Sequence, residues 1–309
     1  MGLFDRTVAG SVKFMPKALV RKVAMHYVAG ETLDEAIAQA RELNEAGCMV
    51  TIDLLGEAIE TEDEANASAD TYLQVLDAIR EHRIDGNVSI KPTHFGLDID
   101  AALFEKNVRR VADRAGEFGN FVRIDMEDSP TTDATLAVFR KLREQGYDHV
   151  GTVLQTMLRR TLDDVKALED LAPSFRICKG VYREPEEIAW QGYDEVNASF
   201  LEILGYALPR RAFYIGIATH DDPVIEGAEK LIEEHGLERD QYEFQMLLGV
   251  RPEVRDALIE RGHRVRIYVP FGTSWYAYCV RRLKENPKYA GYITKDVLRN
   301  PGMLFGGKK

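Results

Sequence analysis

Cysteine is scarce in this chain of 309 residues. The three, Cys48, Cys178 and Cys279, lie far apart and form no C-x-x-C pair, which excludes a disulfide framework and a zinc knuckle and leaves them as small buried apolar residues. Histidine is also sparse, with seven copies and no H-x-H or H-E-x-x-H. The nearest approach to a ligand cluster is His220 beside Asp221 and Asp222, so no metal site is expected. Positive charge is in the minority, 40 Lys and Arg against 51 Asp and Glu, for a net −11 and a pI near 5.3. Such a surface repels phosphate backbones and anionic lipid, which argues against broad nucleic-acid binding but leaves room for a small local basic cluster. No apolar run approaches the roughly 20 residues of a spanning helix. The N-terminal stretch MGLFDRTVAGSVKFMPKALVRKVAMHYV is mildly basic and amphipathic, without the apolar centre and small-residue cleavage site of a signal peptide. A cytoplasmic protein is the expectation.

What is present is ordinary globular material, 45% hydrophobic and 29% charged, enough for a sizeable core. Short β-branched apolar runs alternate with longer amphipathic stretches, the pattern of parallel strands joined by crossover helices. The strand candidates are Cys48–Leu55, Asn87–Pro92, Phe121–Glu127, Val150–Gln155, Phe175–Val181, Phe213–Thr219, Tyr242–Leu247 and Arg264–Pro270. Their centres recur about every 31 residues, the size of a βα unit. Several of the intervening segments open on Asp or Thr and close on Gly, as capped helices do. Eight such units favour an α/β chain folded as a (β/α)8 barrel over a doubly wound sheet, which stops at fewer strands. The division expected is a helical extension over residues 1–46, the barrel over 47–290 and a tail over 291–309.

Chemistry in such barrels sits at the carboxyl ends of the strands, so polar residues late in buried runs are informative. VSIKP ends on Lys91, VRIDMED on Asp125 and Glu127, and TVLQT on Gln155. RICKG carries Arg176 and Lys179, IATHDD carries Thr219 and His220, and YEFQML carries Gln245. Any one of these alone reads as a solvated or paired rim residue. Together, on six consecutive strands, they describe a polar mouth that a purely structural barrel does not need. The eighth unit, RIYVPFGTSWYAYCVRRLKENP, runs from a strand through a Pro270–Gly272 turn into a helix that ends before Pro287. On it Tyr278, Arg281, Arg282 and Glu285 fall at i, i+3, i+4 and i+7, one helical stripe. If that stripe faces the mouth, the two arginines form a pair of rigid forks suited to a small carboxylic acid.

The ordered motifs S-I-K, R-I-D-M-E, V-L-Q, R-I-C-K-G, A-T-H, F-Q-M-L, R-I-Y-x-P-x-G and Y-x-x-R-R-L-x-E-N resemble those of the proline dehydrogenases in their single-function bacterial form. The resemblance runs from the first barrel strand to Pro287. It implies a distorted (β/α)8 TIM barrel that binds FAD non-covalently, oxidises L-proline to 1-pyrroline-5-carboxylate by hydride transfer to flavin N5, and passes electrons to a membrane quinone. On the same basis Lys91, Arg281 and Arg282 hold the proline carboxylate. Asp125 and Arg176 are the catalytic positions, Asp125 beside the pyrrolidine, and Leu247, Tyr268 and Tyr278 close around the ring. The flavin positions implied are Met126, Gln155, Arg176, Lys179, Gly180, Val181, Ala218, Thr219, His220, Gln245 and Glu285. Arg176 or Lys179 would stabilise the anionic reduced ring. Asp221 departs from the pattern, which has Asn after the A-T-H triplet in many relatives, and puts an amide contact there in doubt. Quinone access implies transient peripheral membrane contact, for which the basic N-terminal region is the candidate. The next oxidation is expected from a separate aldehyde dehydrogenase.

Two other readings remain open at the level of sequence. Lys91 and Lys179 sit where an imine-forming lysine of an aldolase-type lyase would. A non-catalytic barrel that holds a small acid would also need a polar mouth.

Overall fold

The computed structural model describes residues 21, 24–56, 59–276 and 278. Its order is α1 (Leu33–Glu45), β1 (Met49–Leu54), α2 (Glu62–Glu81), β2 (Gly86–Ile90), α3 (Ala101–Glu117), β3 (Val122–Ile124), α4 (Ser129–Glu144) and β4 (Val150–Gln155). It continues through α5 (Thr161–Ala167), β5 (Ser174–Cys178), α6 (Tyr193–Ala207), β6 (Tyr214–Ala218), α7 (Asp222–Glu234), β7 (Tyr242–Leu247), α8 (Pro252–Glu260) and β8 (Val265–Phe271). The helix starts follow local chemistry. Thr32 with Glu35 caps α1, and Thr61 with Glu64 caps α2, each threonine accepting from the third backbone N–H while the glutamate reaches back.

The eight strands are parallel and pair in sequence order, and β1 closes on β8 with Met49 opposite Arg266 and Leu54 opposite Phe271. All eight sequence-derived strands are therefore present, with ends shifted by a few residues. Lys91, Asp125 and Lys179 fall just past their strands rather than within them. Of the N-terminal extension, α1 packs on β1 and β8, and Ala36, Ile37, Ala40 and Leu43 join the main core.

Because strand side chains alternate, each strand splits its residues between the sleeve of helices and the barrel interior. The sleeve takes the apolar set, such as Val50 and Ile52, Val122 and Ile124, Ile215 and Ile217. The interior takes a polar set that meets across the axis: Arg176 of β5 bonds Ser89 of β2 and Gln245 of β7. Two interior glycines make room for this. A Cβ at Gly151 would lie 2.4 Å from the Arg123 guanidinium, and one at Gly216 would lie 2.4 Å from the Gln245 amide.

Below the mouth, Arg123 donates to the carbonyls of Thr152 and Ser174, and burial, with neighbouring Arg176, lowers its pKa to about 9. Glu243 and Arg266 form a buried ion pair, Nε to Oε1 at 2.6 Å and Nη2 to Oε2 at 3.0 Å.

Candidate active site

A cavity of about 670 Å³ opens at the carboxyl ends of the strands, within the range of small-molecule sites. Its deep end is an alternating set of charges. Asp125, just past β3, accepts from Ser89 Oγ at 2.7 Å and from Arg176 Nη1 through one oxygen. Through the other it accepts from the Tyr268 hydroxyl at 2.8 Å. Arg176 also donates to Gln245 and lies 5.1 Å from the centre of the Tyr268 ring. Lys91 Nζ donates to Asp53 and, at 3.4 Å, to the Tyr268 hydroxyl. Burial and the Asp125 charge hold the Tyr268 phenol well above its usual pKa, so it serves as a donor. The arrangement pairs two cations with two carboxylates around one phenol and can receive a zwitterion by exchange of partners.

Asp53 is fully excluded from solvent, and burial pushes its carboxyl up against the opposing pull of Lys91. Among the described residues its Oδ2 meets no hydrogen-bond partner. Strand β1 places it there because Ile52 and Leu54 face the sleeve. The rule applied to β2–β7, a polar or charged residue late in an apolar run, would have found it in TIDLL.

Nearer the rim, Lys179 Nζ donates to Asn197 and Asp221 and stands 4.8 Å from the Tyr193 ring centre. The Tyr193 hydroxyl donates to Asp221 at 2.7 Å. Asp221 is thus taken up by Lys179 and Tyr193, contacts that suit a carboxylate, an acceptor without donors. Gln155 donates to the Glu127 carbonyl at 2.7 Å. The Glu127 carboxylate, its pKa raised chiefly by burial, accepts from the Thr93 N–H and hydroxyl and so braces the turn after β2. His220 accepts from the Leu247 N–H through Nε2 at 2.9 Å, and burial, with Arg251 nearby, lowers its pKa to about 4. It stays neutral near pH 7 and ties β6 to β7.

The segment between β5 and α6 crosses one side of the mouth. Trp190 N–H donates to the Met157 carbonyl, Arg159 N–H to the Ile188 carbonyl, and Glu184 accepts from the Ser129 N–H and hydroxyl at the start of α4. It adds Trp190 and Tyr193 to the lining, which strand-end reasoning could not reach because they stand on a loop and a helix start.

One cavity gathers Lys91, Asp125, Met126, Gln155, Arg176, Lys179, Gly180 and Val181 with Ala218, Thr219, His220, Gln245, Leu247, Tyr268 and Tyr278. Arg281, Arg282 and Glu285 lie outside the described residues, as do the tail and Cys279. Cys48 is buried as expected, but Cys178 is only half-buried and lines the cavity, because it ends β5 at the mouth. Both lysines considered for imine chemistry have carboxylate partners.

Comparison with known proteins shows the family and agrees with the fold. The family model described as proline dehydrogenase matches residues 36–295. The chain is 37% identical over 281 residues to a proline dehydrogenase of Deinococcus radiodurans, covering 90% of each chain. It is 36% identical over 287 residues to proline dehydrogenase 1 of Bacillus subtilis subsp. natto, covering 93% of this chain and 94% of that one. Among solved structures, it is similar to proline utilization A from Bdellovibrio bacteriovorus inactivated by N-propargylglycine, with a TM-score of 0.81 and 25% identity over 93% of this chain. It spans about 35% of that longer protein. The chain belongs to the proline dehydrogenase family.

Proposed function

We propose that the protein oxidises L-proline to 1-pyrroline-5-carboxylate with non-covalently bound FAD, as an early step of proline breakdown, and that a quinone takes up the electrons. The observation that carries this reading is the deep end of the cavity, where Lys91, Arg176, Asp125 and Tyr268 offer both charges to one small zwitterion.

The residues present suit FAD. The group is a long anion with a flat ring, and the cavity offers the cations Arg176 and Lys179, the amides Gln155 and Gln245, and the aromatic rings of Trp190 and Tyr193 in one continuous space. We assign Met126, Gln155, Gly180, Val181, Ala218, Thr219, His220 and Gln245 to its binding, with Glu285 on the last helix. Bound FAD supplies the two-electron acceptor of the reaction.

The remaining work belongs to the chain. Lys91, with Arg281 and Arg282, binds the substrate carboxylate and fixes the ring, so that orientation supplies much of the rate. Leu247, Tyr268 and Tyr278 close on the ring and exclude water. Asp125 stands by the pyrrolidine nitrogen, and its hydrogen bonds from Ser89, Arg176 and Tyr268 fix its orientation. Arg176, held by Asp125 and Gln245, is the positive group assigned to the reducing end of the site.

Among the described residues no helix is long and apolar enough to cross a membrane. We assign quinone access to transient contact by the basic N-terminal region. Anaerobic addition of proline to the purified, FAD-loaded protein should bleach the flavin absorbance. Unchanged absorbance with FAD fully bound would overturn the proposed reaction.

A further inference from the structure

We propose that Asp53 is a positioning residue for substrate binding, holding the Lys91 ammonium from inside the barrel at the floor of the cavity. The proposal rests on the reading of that cavity as a proline site. Asp53 itself does not line the cavity; it acts through Lys91, whose side chain is 16% exposed while that of Asp53 is wholly covered. The ammonium therefore stands between a fixed carboxylate below and the open cavity above.

The groups around Lys91 leave Asp53 this role. Asp125, beyond β3, is committed to Ser89, Arg176 and Tyr268. Arg176 of β5 is the partner of Asp125 and Gln245. Tyr268 of β8 accepts from Lys91 but donates to Asp125. Glu127 is occupied by Thr93, and His94 is kept neutral by burial and by Lys91, with a pKa of about 4. Tyr72, from α2, approaches Asp53 Oδ1 at 3.4 Å but makes its shorter bond, 2.6 Å, to the Ser89 carbonyl. Among the described residues, Asp53 is the carboxylate hydrogen-bonded to Lys91. Asp125 being committed to its own partners, removal of the Asp53 charge leaves the ammonium without the carboxylate below it, and a buried ammonium lacking its counter-ion gives up its proton more readily.

Asp53→Asn keeps the shape and removes the charge. The wild-type protein with FAD is assayed alongside; if it fails to oxidise proline, the proposed reaction falls and this proposal with it. With wild-type activity present, Asp53→Asn should raise KM for proline roughly tenfold, the worth of one charge-assisted hydrogen bond, while kcat changes much less. Its kcat/KM, and calorimetric binding of the unreactive ring acid cyclopentanecarboxylate, should both fall at alkaline pH where the wild type retains them. In a Lys91→Met background the same substitution should change KM by less than about twofold, because the residue acts through Lys91. Unchanged KM and pH profile in Asp53→Asn, or an additive effect in the Lys91→Met background, would overturn the proposal alone. Should Asp53→Asn not fold, Asp53→Glu keeps the charge and displaces the ammonium. A raised KM with an unaltered alkaline profile is then expected, and an unchanged KM overturns the proposal.

Discussion

Glu243→Gln tests whether the barrel interior depends on its buried ion pair. The carboxylate is 1% exposed. Burial alone would raise its pKa, but the Arg266 charge and hydrogen bonds from Arg266, Tyr214 and Gln245 outweigh that and hold it at about 2. Relative to an ordinary glutamate, a displacement of that size corresponds to about 3 kcal/mol of stability. Since the folded value is the lower one, the contribution is complete above the unfolded pKa, near 4.5, and is lost as pH falls from there toward 2. Removing the charge leaves Arg266 buried without its counter-ion, its acceptors then being neutral groups such as the Val50 carbonyl, the Met49 sulfur and the one amide oxygen that Gln retains. Breaking such a pair typically costs about 3–5 kcal/mol, or a melting temperature lower by roughly 10 °C in a chain of this size. Urea and thermal unfolding at pH 7 would measure it, with the Glu243→Gln, Arg266→Met double variant as the neutral reference. The double variant should be less destabilised than the single one. A loss below about 1 kcal/mol in Glu243→Gln, or a double variant as unstable as the single, would refute the reasoning. The consequence reaches the site, because Gln245 bonds both Glu243 and Arg176.

Tyr268→Phe removes the 2.8 Å bond to Asp125 and should lower kcat/KM for proline about tenfold at a stability cost near 1 kcal/mol; steady-state kinetics and thermal unfolding check this, and an unfolded product would contradict it. Lys179→Ala should weaken FAD binding in equilibrium dialysis while the KM for proline of the reloaded protein changes little. Arg281→Met or Arg282→Met should raise KM for proline far more than it alters FAD content, and equal losses of both would assign the helix a structural role.

The alternation of apolar runs and capped amphipathic segments was enough to determine eight βα units, because strand period and helix capping are local properties. The same local rule pointed to the mouth residues Lys91, Asp125, Gln155, Arg176, Lys179 and Gln245, all of which line the cavity. Asp53 followed the rule and escaped notice, because one acidic residue in an apolar run carries no sign of its partner. Arg123, Glu243 and Arg266 lie earlier in their strands, where a charged residue reads as a break in an apolar pattern rather than as half of an interior network.

Pairing was decided only by tertiary structure. Lys91 meets Tyr268 across 177 positions of sequence, and Arg176 meets Ser89 across 87. Such contacts exist because the sheet closes and turns alternate side chains of distant strands onto one axis. Sequence alone pointed to the strand-end residues that reach the mouth and to the concentration of cations there in a chain that is acidic overall. Closure of the barrel decided which carboxylate neutralises which cation, since that depends on strand register and on burial, neither of which is encoded in local period.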